Sequence, residues 1–237
     1  MLFETEFGDI PLSQFTPERV RQFAVKRRAT VGSDTLMRDL AQLSSIVEWA
    51  QVMWDSPLGA NPVRAAVARL RKTQTIGRKV NRERRLAPGE YRRLLRASSP
   101  RLRQIVRLII ETGLRRGEVV RLRPDDLGAG GLWVRGDKTG KTTLIPVSRA
   151  ARRIIGGMEK TGFGVRPDSI TQAFERAVKR AGLVDLRVHD LRHECASRLF
   201  EKGLSVPEVA MITRHSDWRS LKVYTQPSVE KVAGKLG

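Results

Sequence analysis

Cysteine is nearly absent. Cys195 is the only one in 237 residues, which excludes an intramolecular disulfide framework and fits a reducing compartment. No apolar run approaches the roughly 20 residues that a membrane-spanning helix needs. The opening residues MLFETEFGDI do not have the pattern of a signal peptide. Acidic residues are few beside basic ones: 25 Asp and Glu stand against 45 Lys and Arg, a net charge of +20 at pH 7. That imbalance points to a polyanionic partner, most simply nucleic acid. The basic residues are spread through helical patterns rather than gathered in a tail, so the charge belongs to folded surfaces. At 40% hydrophobic residues the chain can build real cores, in one large or two small domains.

Histidine and tyrosine are the other scarce types, with 3 and 2 copies. All three histidines, His189, His193 and His215, and the tyrosine Tyr224 fall in one segment, HDLRHECASRLFEKGLSVPEVAMITRHSDWRSLKVYTQ. Composition alone would not cluster them. Arg192 lies in the same segment, and Arg115 lies upstream in the run ETGLRRGE. Arginine stays protonated at working pH, and its planar fork matches phosphate oxygens. Two arginines can neutralise the charge that builds on a phosphorus under attack. His189 and His215 suit proton handling or hydrogen bonds to phosphate. His193, four residues after His189, shares its helix face and also suits packing. A phenol of ordinary pKa near about 10 needs neighbouring cations or a base to act as a nucleophile, and this set supplies both to Tyr224. The same three histidines offer a zinc set. However, Arg192 among them repels a cation, and neither a thiolate pair nor an HExxH glutamate accompanies them.

The first third reads as helices. Thr16-Pro17-Glu18 marks one start, and Ser33 caps a second helix with Leu36, Leu40, Leu43, Val47 and Ala50 at helical spacing. Asn61-Pro62 breaks the pattern. A basic stretch follows from Val63 to Arg85. The expected division is a helical domain over 1–72, a basic linker over 73–85 and a second domain over 86–237. Candidate DNA contacts are Arg71, Lys72, Arg78, Lys79, Arg82, Arg84 and Arg85. In the second domain Leu102, Ile105, Val106, Ile109 and Ile110 form a stripe that ends at Thr112-Gly113. GLWVRG and TTLIPVS read as short strands joined by the turn Asp137-Lys138-Thr139-Gly140. Ser169 is expected to cap a helix with Ile170, Phe174, Ala177, Val178 and Ala181 inward. Leu191, Cys195, Leu199 and Phe200 define another, and Ser205-Val206-Pro207-Glu208 is a capping box that opens the last. The fold class is mainly α with a small β-sheet or hairpin. There is neither a P-loop nor a convincing carboxylate cluster for a metal, so no cofactor and no metal are expected. Lys138 at the hairpin tip can carry an ammonium into a groove, and Lys141 competes for that role.

These boxes together resemble the catalytic domain of the tyrosine recombinases, the phage integrase family. TGLRRGE looks like the family's first arginine box and HDLRH like its His-x-x-Arg box. His215-Ser216-Asp217 and Tyr224 look like its closing histidine and nucleophile. GDKTGKTTLIPVS looks like the hairpin with the catalytic lysine, which maps best onto Lys138. TLMRDLAQLSSIVEWA and NPV resemble the core-site-binding domain, so the likeness covers almost the whole chain. It implies a site-specific recombinase on double-stranded DNA at core-type attachment sites. By that resemblance Tyr224 forms a 3′-phosphotyrosine, and Arg115, Arg192 and His215 hold the phosphate. His189 assists the proton at the nucleophile, and Lys138 protonates the leaving oxygen. It further implies a homo-tetramer on a Holliday junction joined through the C-terminal tail, an accessory directionality factor, no membrane partner, and a cytoplasmic, nucleoid-associated place in a bacterial host. The helices that begin the chain imply a compact form without an arm-binding module. Two other readings stay open: a type IB topoisomerase-like relaxing enzyme, and a non-catalytic DNA-binding regulator on the same fold. Two residues depart from the family's pattern. Arg214 stands where a glycine usually precedes the histidine, and Glu194 is expected to add a negative charge beside the site.

Overall fold

Helix boundaries along the chain follow local chemistry. Thr16 accepts a hydrogen bond from the Arg19 amide at 3.3 Å, and Pro17 opens the helix behind it. Asn61 does the same for the Val63 amide at 3.0 Å, with Pro62 behind it, so the dipeptide that breaks one helix also begins the next. Ser99 and Ser148 cap two further helices. The computed structural model describes residues 2–54, 58–76, 84–136, 142–215, 217–218 and 221. The chain divides into two units, Met1–Asn81 and Arg82–Gly237.

The first unit holds α1 (Leu2–Phe7), α2 (Pro17–Arg28), α3 (Ser33–Met53) and α4 (Pro62–Lys72). Its core is apolar throughout and includes Val20, Phe23, Leu36, Leu40, Leu43, Val47, Val63 and Leu70. Phe7 meets Phe15 and Phe23 edge-on, with centroids 5.2 and 5.3 Å apart. Ser33 is the first residue of α3 and Gly32 holds the cap, one residue earlier than expected.

The second unit holds α5 (Glu90–Ala97), α6 (Pro100–Thr112), α7 (Arg116–Arg121), β1 (Leu127–Gly128), β2 (Gly131–Val134), β3 (Thr143–Ile145), α8 (Arg149–Gly156), α9 (Pro167–Arg180), α10 (Val188–Glu201) and α11 (Val206–Thr213). The α6 helix buries Leu102, Ile105, Val106, Leu108, Ile109 and Ile110 on one broad face, while Arg101, Gln104 and Arg107 stay exposed on the other. So broad an apolar face takes several partners, and α6 packs against α7, α8, α9 and α10. The strands form one antiparallel sheet in the order β1-β2-β3, with Leu132 opposite Ile145. Two-residue β1 is too short for a period of two to be read, and the sequence did not announce it. The α9 helix starts at Pro167, two residues before the expected cap Ser169, because proline at the first turn already supplies a helical φ.

Ile76 is buried in the first core, whereas Arg84 and Arg85 are tied into the second unit. Residues 77–83 lie outside the described residues, as do the hairpin turn with Lys138 and Lys141, Tyr224, and the tail that follows it. Among the described residues no helix is long and apolar enough to cross a membrane.

Candidate active site

Four helix termini converge where the sequence motifs meet. The α6 helix ends at Gly113, whose φ of +65° is in the left-handed region that favours glycine. A Cβ at Gly113 would approach Thr213 Cγ2 to 2.9 Å and Cys195 Sγ to 3.4 Å. So the end of α6 closes against α10 and α11 at a distance only glycine permits. Two residues on, Arg115 is the N-cap of α7.

Arg192 comes from the second turn of α10 and is 3% exposed. Its Nη1 donates to the Gly113 carbonyl, and its Nη2 lies 3.4 Å from Nε2 of His215. Arg192 therefore bridges the end of α6 to the segment after α11. The Thr213 hydroxyl donates to the Val209 carbonyl at 2.6 Å, and its single proton is used there. The 2.6 Å contact between that hydroxyl and Nδ1 of His215 is then a bond donated by the ring. Its partners thus assign His215 the Nδ1–H tautomer, with Nη2 of Arg192 beside both ring nitrogens, 3.5 Å from Nδ1 and 3.4 Å from Nε2.

Glu118, which is 7% exposed, organises the other side of the site. Its Oε2 accepts the Arg115 amide at 2.8 Å. Its Oε1 accepts Nη1 of Arg115 at 3.0 Å and Nη1 of Arg214 at 2.8 Å. Arg214 adopts φ +57°, ψ +47°, a left-handed conformation that a non-glycine residue rarely takes. The first turn of α10 is fixed by Asp190, whose carboxylate accepts the Arg187 amide at 2.8 Å. That turn presents His189, which meets His193 edge-on with centroids 4.7 Å apart.

The electrostatics favour an anion. Burial first, and the charge of Arg115 second, push Arg192 down to about 10, so it stays protonated near neutrality. His189 is lowered to about 4 by burial, then by His193 and Arg192. His215 is lowered to about 3 by burial, then by Arg192 and Arg115. Both imidazoles are therefore neutral at pH 7, in a field set by arginines. Arg115, Arg192 and Arg214 carry three positive charges, and Glu118 supplies one negative charge in direct contact. A tetrahedral anion fits this balance. Among the described residues no three His, Cys, Asp or Glu side chains are grouped so as to hold a metal ion.

The structure brings Arg115, His189, Arg192 and His215 together. Lys138 and Tyr224 lie outside the described residues, as do Arg78, Lys79 and Arg82. Arg71 and Lys72 are exposed in the last turn of α4. Arg84 pairs with Glu90 at 2.8 Å, and Arg85 pairs with Glu201 at 2.5 Å and Glu194 at 3.3 Å. These two arginines were expected as linker contacts to DNA, and in the free protein they hold carboxylates of the second unit. Glu194 does not add a bare charge to the site. It is 3% exposed and accepts from Arg198 at 2.8 Å, from Arg85 and from the Leu86 amide at 3.2 Å. Cys195 is buried, and burial pushes its thiol up to about 12, so it is not nucleophilic. Sequence reasoning gave no role to Glu118 or Thr213. A glutamate three residues after the Arg115 cap was the available signal for the first.

The phage integrase family matches residues 84–231, and the chain belongs to that family, the tyrosine recombinases. It is 32% identical over 241 residues to a shufflon-specific DNA recombinase of Escherichia coli, an alignment that covers 98% of this chain and 61% of that protein. The chain thus spans about three-fifths of that relative's length. The Tn1549 transposon integrase in complex with circular intermediate DNA superposes with TM-score 0.76 at 14% identity, covering 100% of this chain and 89% of that one. A lambda integrase tetramer bound to a Holliday junction gives TM-score 0.73 at 22% identity, covering 97% of this chain and 70% of that one.

Proposed function

We propose that this protein is a site-specific DNA recombinase that cleaves and rejoins strands through a covalent 3′-phosphotyrosine. The observation that carries the reading is the burial of Arg192 between the Gly113 carbonyl and His215, in a cluster with two further arginines. A buried guanidinium among like charges is costly without an anion to receive it. Arg115 and Arg192 hold the non-bridging oxygens of the scissile phosphate. His215 completes that grip, and phosphate beside it raises the imidazole toward its ordinary range so that Nε2 can donate.

Tyr224 Oη attacks phosphorus, the P–O5′ bond breaks, and Lys138 gives the departing oxygen its proton. His189 receives the proton from the phenol. The new phosphotyrosyl bond keeps the phosphoryl group activated, so the reverse attack by a 5′-hydroxyl needs no nucleotide, and the residues named here supply the charge stabilisation. Exchange of two strand pairs passes through a Holliday junction in a tetramer, with the tail after Tyr224 docked on a neighbour. The substrate is duplex DNA in the bacterial cytoplasm, and phosphate contacts set much of the affinity. The family membership and the DNA-bound neighbours support this reading.

The test uses a pool of nicked suicide duplexes with randomised core sequence, incubated with the protein in EDTA. Wild type is expected to give a protein–DNA adduct on a denaturing gel, and Tyr224→Phe is expected to give none. Retained binding without any adduct overturns the reading. Relaxation of supercoiled plasmid without recombinant products would replace recombination by topoisomerase action. Deletion of residues 228–237 is expected to weaken tetramer assembly on DNA, and unchanged assembly removes the tail from the proposal.

A further inference from the structure

A left-handed backbone conformation at a long charged residue is an outlier that asks for a cause. Arg214 has that conformation at the end of α11, where both its own amide and the His215 amide reach the Ala210 carbonyl. Glycine would take the same turn without strain. The side chain placed there does not run into solvent. It is 14% exposed and donates to Oε1 of Glu118, 96 positions earlier in the chain. The same oxygen accepts from Arg115, whose side chain is 45% exposed. An ion pair three residues apart on a helix end is weak by itself, because a half-exposed side chain exchanges readily with water. A second cation on the shared carboxylate, held by a fixed turn, removes the freedom of Glu118 to turn away.

We infer that Arg214 is a positioning residue for Arg115, acting through Glu118 to hold the guanidinium in place before DNA arrives. Pre-ordering of this kind lowers the reorganisation needed when charge develops on the phosphate. The tether also links the turn that carries His215 to the turn that carries Arg115, so the two phosphate ligands are set by one carboxylate. The inference rests on the cleavage reading above for its effect on rate, while the tether itself is a property of the free protein.

The experiment therefore has two readouts. The first is the ¹⁵N-guanidinium resonance of Arg115 in free wild-type protein, R214G and R214K. An ordered Arg115 signal that broadens or exchanges faster in R214G, and is partly restored in R214K, is expected. An unchanged signal in R214G overturns the inference, whether or not the protein cleaves DNA. The second is the single-turnover cleavage rate on a duplex recovered from the suicide pool, at saturating DNA, beside the thermal midpoint. R214G is expected to cleave about 10- to 100-fold more slowly, the range set by loss of one oriented donor. Its midpoint should be unchanged or raised, because glycine relieves the turn. A parallel fall of midpoint and rate would mean that Arg214 serves only the fold, and it overturns the inference. In a double-mutant cycle R214G should add no further loss to E118Q, and additive losses also overturn it.

Discussion

The two units bury different things. Among the described residues, every buried polar or charged side chain lies in the second unit, including Glu118, Asp126, Asp190, Arg192 and Glu194. The first unit closes over aliphatic and phenylalanine side chains alone. An apolar core is non-directional: it fixes helices against one another but aims nothing. A buried carboxylate or guanidinium must be met at a set distance and angle, so each one orients the groups around it. The first unit is built as a platform, and the second as a holder of charges. The basic residues of the platform, such as Arg71 and Lys72, sit at its surface.

Four substitutions or conditions probe that contrast. The largest effect is expected at Arg192. Arg192→Lys keeps the charge but loses the fork that meets the Gly113 carbonyl and, in the proposed mechanism, the phosphate. Cleavage on the suicide duplex should fall by about 100- to 1000-fold with DNA binding nearly kept. A tenfold loss or less would mean that charge alone is enough. Next is Leu40→Ala in the platform, where Leu40 is 0% exposed. It should cost about 2–5 kcal/mol in denaturant unfolding. Fluorescence of Trp49 and Trp54, which stack edge-on 5.1 Å apart, reports it once Trp133 and Trp218 are replaced by Phe. Glu194→Gln in the second unit should cost about 1–3 kcal/mol, the desolvation left when Arg85, Arg198 and the Leu86 amide lose a shared anion. A cost below the error of the melt would show that Glu194 is dispensable to the holder.

The last probe is pH. His189 and His215 titrate at about 4 and about 3 in the folded chain, and near about 6.5 when unfolded. As pH falls through 6.5 the unfolded chain takes up protons first, so stability is lost between about 6.5 and the folded values and is present above that window. The thermal midpoint of free protein should rise from pH 5 to pH 7. Bound DNA should flatten the rise, because phosphate lifts both imidazoles. A midpoint that falls over that interval would contradict the assigned neutral forms.

Much of this was legible from residues alone. The α6 stripe, its end at Gly113, the Thr16 cap, the Ser205-to-Glu208 capping box and the two longer strands follow from local rules that need no tertiary knowledge. The motifs that name Arg115, His189, Arg192 and His215 were legible for the same reason: each is a short run with unusual residue types. What stayed hidden depends on groups that meet from far apart. The partners of Glu194 come from 85 and 86 as well as 198, and nothing in the run HDLRHE shows that its last charge turns into the core. Arg85 looked like a linker residue because its carboxylate partners, Glu194 and Glu201, lie far along the chain. Arg214 was visible as an oddity, but its partner Glu118 belongs to another motif.

The acceptor for Arg192 belongs to the main chain. No codon change can delete a carbonyl; it can only be displaced, and Gly113 is the residue whose replacement would displace it. The acceptor for Arg115 is a side chain, and a single codon change removes it. Under random mutagenesis the two arginines are therefore exposed to inheritance in unequal degree. Variants that remove the Arg115 acceptor arise in one step at Glu118, whereas the Arg192 acceptor is moved only through the backbone, at Gly113 above all.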